Sequence, residues 1–282
     1  MELSLAQTIS LLVKLSVLST VFALGLNATP ADVAYLVTKP GLFVRSLLAM
    51  YVMTPLVTVL LVLMVTAPLR VELAVLLMAI SAGMPALPRK LLELGGHPPY
   101  VYSLAVIMAV LAIATVPASL ALLSAFFGGD ASVAPGQVAS ALTRVFLAPL
   151  LAGMVVRRLA PALAERVGQP LMKLAGAILV TLVLLIGAAN VVPIMGLGLS
   201  GLAIIVLATY AALAVGHVLG GPEPRDRTTL AIACATRFPG LGLLIASLNF
   251  PNARPLPIVA AYVLISSVAV IPYMRWRRTE SI

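Results

Sequence analysis

The chain has 282 residues, of which 62% are hydrophobic and only 10% charged. A soluble domain needs far more charge than that to cover its surface, so the composition excludes one. A net charge of +9 does not mark a nucleic-acid partner here, because most lysines and arginines fall in short stretches between apolar runs, where they orient a membrane protein and meet headgroups.

The first apolar run, 5–26, lacks a basic leader and a clear small-residue cleavage site, so it is read as a retained helix. Further runs predict helices over 41–65, 71–95, 99–126, 136–157, 168–191, 198–220, 227–249 and 256–274, about nine in all. The fold class is therefore an all-α polytopic membrane protein, one membrane domain over 1–282. If every span crosses, Lys39, Arg45, Arg157, Arg158, Arg166, Arg225, Arg227, Arg275, Arg277 and Arg278 share one side. The positive-inside rule then predicts an inner-membrane protein with its N-terminus outside and its C-terminus cytoplasmic.

Two of these runs are interrupted by prolines. The third carries Gly83-Met84-Pro85-Ala86-Leu87-Pro88, and the eighth carries Arg237-Phe238-Pro239-Gly240. Proline removes a backbone donor and clashes with the preceding turn, so each helix must open there. Open backbone inside a bilayer is tolerated only where it is buried in protein or lines a wet cavity. Interrupted spans five helices apart and oppositely oriented are what an inverted-topology repeat with two broken crossover helices produces. That pattern points to a secondary transporter with its site where the breaks meet.

The polar residues near the breaks are the candidate site. Arg237 lies about ten residues into its span, near 15 Å deep at a rise of about 1.5 Å per residue, and Arg144 is similarly deep in the fifth span. A mid-membrane guanidinium needs a partner, and no Asp or Glu occupies a comparable depth. The partners left are opened backbone carbonyls, cavity water or an anionic ligand. Half-helices starting near Ala86 and Gly240 would also aim free N–H groups at the centre. The predicted substrate-binding set is Arg237, Arg144, Pro85, Pro88, Phe238, Pro239, Gly240, Thr236 and Ser81. Arg89 and Lys90 either pair with Glu93 or attract anions at the inner mouth. Lys14 either snorkels or faces the cavity. Ser81, Thr143, Thr236, Ser247 and Asn190 are residue types that usually bond a carbonyl in the preceding turn. Gly216 and Gly220 form a small-xxx-small face for close helix packing, and Cys234 reads as a small packing residue. With one cysteine, and only His97 and His217 as histidines, there is no intrachain disulfide, and a structural zinc site is not expected.

The chain resembles the bile acid:sodium symporter family over nearly its whole length. Gly25-Leu26, Asp32, Lys39-Pro40 and Pro55 are similar to the family's second-to-third-helix region. Ser81-Ala82-Gly83 through Gly95-Gly96-His97 resembles its first crossover helix, and Arg144 with Pro149 and Gly153 its sixth helix. Pro224, Asp226, Gly240-Leu241 or Gly242-Leu243, and Asn249-Phe250 resemble its second crossover. The resemblance implies a panel subdomain (about 5–26 and 136–191) moving against a core subdomain (about 41–126 and 198–274), with crossover helices 71–95 and 227–249 and substrate between the two. It also implies nine helices where the first of ten is missing.

Departures from the family pattern matter as much. The family's Glu-x-x-x-Gln-Asn sodium ligands are replaced by Ala233-Cys234-Ala235-Thr236-Arg237-Phe238, and its Ser-Asn pair by Leu87-Pro88. Sodium needs hard oxygen ligands, so no cofactor or metal is expected, and Arg237 is expected to supply permanently the charge sodium supplies in the family. The implied partners are a small or amphipathic organic anion and the lipid bilayer, with no nucleic acid; no residue signals an oligomeric state. A receptor or assembly protein on the same scaffold is the alternative reading. An enzyme is not expected, because the spans hold no acid–base or nucleophile constellation.

Overall fold

A computed structural model of the chain describes residues 5–81, 88, 91–92, 96–127, 135–243 and 256–279. The described residues are built from helices with no strand element: α1 (Leu5–Asn27), α2 (Pro30–Val37), α3 (Pro40–Met64), α4 (Leu69–Ile80), α5 (Pro98–Phe127), α6 (Gly136–Leu159), α7 (Pro161–Ala189), α8 (Val191–Met195), α9 (Gly198–Leu219), α10 (Pro224–Ala235), α11 (Leu256–Ala269) and α12 (Ile271–Thr279). Several start on a proline, whose fixed φ suits the first turn and whose missing N–H would have no partner there. Six helices are long and apolar enough to cross a membrane, or seven if α1 and α2 form one span bent by 89°. The predicted third and eighth spans are not among them, because within the described residues their first helices, α4 and α10, are each 12 residues long.

The bend after α1 is made by local chemistry. Thr29 accepts from the Asp32 N–H while the Asp32 carboxylate accepts from the Thr29 N–H, a reciprocal cap that starts α2 at Pro30. Ser103 of α5 then pins α2, accepting from the Leu36 N–H and donating to the Val33 carbonyl, each at 3.0 Å.

Close packing is set by glycines. A Cβ on Gly25 of α1 would lie 2.3 Å from the Leu150 carbonyl oxygen, and one on Gly153 of α6 would lie 2.3 Å from that of Phe22. These two helices therefore touch backbone to backbone, and α1 also packs along α7, where Ser16 donates to the Ala175 carbonyl. The predicted Gly216–Gly220 face behaves likewise: Cβ atoms there would come within 2.6 Å of α10 backbone at Leu230, Ala231 and Arg227. Around this contact α9 gathers α3, α4, α10 and α11.

Two spans contain a π-helical segment, Leu48–Met53 in α3 and Thr143–Leu147 in α6. In each, a proline follows within two residues, Pro55 and Pro149. Where proline cannot donate, the ladder slips from i→i−4 to i→i−5. The Thr54 N–H reaches back to Ala49, and the Ala148 N–H to Thr143.

Candidate functional site

Both interrupted spans open where the prolines predict. α4 stops at Ser81, whose φ of −65° and ψ of 150° are extended, and α10 stops at Thr236, with φ −96° and ψ 90°. Helix resumes at residues 239–243. Ser81 bonds its hydroxyl to the Met78 carbonyl at 2.8 Å, which tidies the end of α4 but leaves the Ser81 carbonyl free.

Arg237 fills the gap. Its side chain is 3% exposed. Nη1 donates to the Ser81 carbonyl at 3.0 Å and Nη2 to the Met50 carbonyl at 3.1 Å, 156 and 187 residues away in sequence. The second acceptor has a clear origin. In an α ladder Met50 would accept from Thr54, but that N–H has slipped to Ala49. In a π ladder it would accept from residue 55, which is proline and has no N–H. The sequence thus orphans this carbonyl, and the guanidinium takes it.

The third nitrogen, Nε, is buried and its N–H has no partner. No carboxylate pairs with Arg237 among the described residues, so its charge is solvated by backbone dipoles from two other elements. Tyr51, Cys234 and Tyr262 lie close enough to interact with it. The expected carbonyl partner is therefore present, but it belongs to the other broken helix and to α3.

The rest of the predicted set divides. Thr236, Phe238, Pro239 and Gly240 surround the second break, all but Thr236 fully buried. Phe238 meets Phe146 of α6 edge-on, with centroids 5.9 Å apart. A Cβ on Gly240 would come within 2.4 Å of Val17 Cγ2, so α1 packs directly on the break. Ser81 closes the first break, and Pro88 is helical and buried. Pro85, Arg89, Lys90 and Ser247 lie outside the described residues.

Arg144 does not join Arg237. It is exposed, while Phe146, two residues on, turns towards the break. Leu151 and Val155, farther along α6, are also exposed, at 50% and 53%. No hydrogen bond or ion pair ties Arg144 to the described residues. Lys14 is likewise exposed. Thr143, Asn190 and Ser81 bond carbonyls three or four residues back, as their residue types predict. His217 bonds Tyr273 Oη through Nδ1 at 2.9 Å.

No curated protein matches the chain. The sequence profile of the sodium bile acid symporter family matches residues 14–197. The chain belongs to that family. Its members are membrane transporters, and the apolar helices make this chain a multi-pass membrane protein of the same kind. The matched stretch includes the first break and ends before α9, so Arg237 lies beyond it. Met50, whose carbonyl accepts from Arg237, is the partner that reading side chains alone missed; Pro55 five residues later is its signal.

Proposed function

We propose that this protein is a secondary transporter of a small or amphipathic organic anion, working by alternating access without sodium. The observation that supports this is Arg237, a buried guanidinium between two opened helices with no carboxylate beside it among the described residues and with its Nε–H unbonded. A cation in that place attracts an anion and leaves no need for a bound metal ion to supply the charge. In this reading α1, α6 and α7 form the panel, moving against a core built around α9, and the anion enters between them beside Val17, Phe146 and Phe238. Arg144, exposed on α6, and Arg89 with Lys90 raise the local anion concentration and do not hold the substrate. The N-terminus faces outwards and the arginine-rich end the cytoplasm.

The test is thermal stabilisation of the purified protein by organic anions, with sodium and with choline as the counter-cation. A ligand at about 100 times its Kd stabilises by about 2.7 kcal/mol. The same shift in both salts, lost in Arg237→Met, supports the reading, and counterflow in liposomes then separates transport from reception. A shift that needs sodium overturns the coupling, and binding without counterflow overturns transport.

A further inference from the structure

At the arginine-rich end, the turn between α9 and α10 draws guanidinium groups from separate helices. Gly221 makes that turn with a φ of 88°, and a Cβ on Gly220 would lie 2.4 Å from the Arg227 Cα, so the start of α10 is pressed against the end of α9. Arg227 turns its Nε back to donate to the Gly221 carbonyl at 2.6 Å. From α3, Arg45 reaches the same residue: its Nη1 lies 3.4 Å from where a Cβ on Gly221 would stand. Arg277 of α12 joins them, donating from Nη2 to the Pro224 carbonyl at 3.1 Å and from Nε to Thr228 Oγ1 at 2.8 Å.

Two like charges drawn to one glycine repel, and an anion between them relieves it. Among the described residues neither Glu223, exposed in the same turn, nor Asp226 forms an ion pair with Arg45 or Arg227. Arg45 makes no hydrogen bond there, and Arg227 spends only its Nε, so both keep Nη donors to offer. The surface beside them is apolar and aromatic. Val218 in the last turn of α9 is 78% exposed, and Trp276 of α12, 47% exposed, packs against His217 and Tyr273 with ring centroids 5.5 and 5.6 Å apart. Aromatic residues of this kind at the end of a span mark the headgroup level. We propose that Arg45 and Arg227 bind the phosphate of an anionic phospholipid, whose acyl chains run over Val218 and Trp276. A free phosphate would leave that apolar rim without a use.

Lipid held here acts on the core. α3 carries both Arg45 and Met50, while α10 has Arg227 in its first turn and runs to the break that holds Arg237. Met50 and Arg237 already join these two elements at depth. A phosphate gripped by Arg45 and Arg227 joins them again at the surface, about 15 Å away along α10. The planar fork of each guanidinium suits phosphate oxygens, which a lysine ammonium meets only as a point charge. Binding at this turn is independent of any cargo at the break.

The experiment needs no substrate. The full-length protein, in an uncharged detergent at fixed ionic strength, is melted while maleimide capture of the buried Cys234 thiol is followed. Short-chain phosphatidylglycerol, short-chain phosphatidylcholine and inorganic phosphate are titrated in separate arms. Phosphatidylglycerol should raise the melting temperature saturably. Arg45→Gln, which breaks no bond between described residues, should fold and should move the half-saturating lipid concentration up about tenfold. Arg45→Lys keeps the charge without the fork and should fall between the two, a second readout if the glutamine variant fails to fold. Arg166→Gln, which removes an exposed charge on α7, should leave the midpoint where it was. A midpoint unmoved in Arg45→Gln, or moved equally in Arg166→Gln, overturns the site, as does a shift given equally by phosphatidylcholine. Inorganic phosphate stabilising as much as phosphatidylglycerol overturns the lipid as occupant.

Discussion

Replacing Arg237 by lysine should harm the fold more than replacing it by methionine. The guanidinium makes two charge-assisted bonds, to Ser81 and Met50 carbonyls held by separate elements, each worth about 1.5–3 kcal/mol. Lysine keeps the charge, but its single ammonium lacks the fork that spans two acceptors, and it is more strongly hydrated. It forfeits at least one bond, about 1.5–3 kcal/mol, while still bearing the burial cost of a cation. Methionine forfeits both bonds, about 3–6 kcal/mol, but removes a mid-membrane charge that costs about 3 kcal/mol, so its net loss is about 0–3 kcal/mol and, at any one bond strength in that range, no larger than lysine's. At about 2–4 °C per kcal/mol, the lysine variant should melt roughly 3–12 °C below wild type and the methionine variant no lower than the lysine one. Cys234, the only cysteine and fully buried, makes the assay direct: a maleimide dye that fluoresces on thiol capture reports its exposure on heating. A lysine variant as stable as wild type would refute the carbonyl-clamp reasoning.

Other expectations follow from the same structure. Pro55→Ala should return an N–H to the ladder of α3 and withdraw the Met50 carbonyl from Arg237, so that anion-induced stabilisation weakens while the span itself melts no lower. Gly25→Leu and Gly153→Leu should each force α1 and α6 apart against backbone at 2.3 Å; overpacking of this sort costs about 1–3 kcal/mol, visible as a lower melting temperature in either variant. Arg277→Ala removes donors to Thr228 Oγ1 and the Pro224 carbonyl; hydrogen exchange at the first turn of α10 should quicken with little change in global melting.

The helical architecture was legible because apolar runs and prolines act locally. Pro85, Pro88 and Pro239 remove donors wherever they stand, so the openings of the third and eighth spans needed no tertiary information, and α4 and α10 stop within a few residues of them. The Gly216–Gly220 face was also readable, since small residues four apart leave room only on one side of a helix. Among the described residues six or seven spans qualify as continuous crossings where about nine apolar runs were expected, and the third and eighth runs are the two whose prolines open them. The depth of Arg237 was readable, but its partners were not. Carbonyls carry no letter of their own, and Met50 is 187 residues distant. Arg144 shows the complementary limit: depth in a span is a property of sequence, whereas the face it occupies depends on the π segment, which rotates every residue before Pro149 relative to those after it.

The corner at Thr29 also has a mechanical consequence. Through Ser103, α2 is fastened to α5, while α1 is locked to α6 and α7 through Gly25 and Ser16. The connection between these two attachments is short, residues 27–30, and the reciprocal Thr29–Asp32 cap at its end resists unwinding. A joint that short and that well fastened holds the angle between α1 and α2, so a load on either helix is passed to the other as torque and not absorbed as slack.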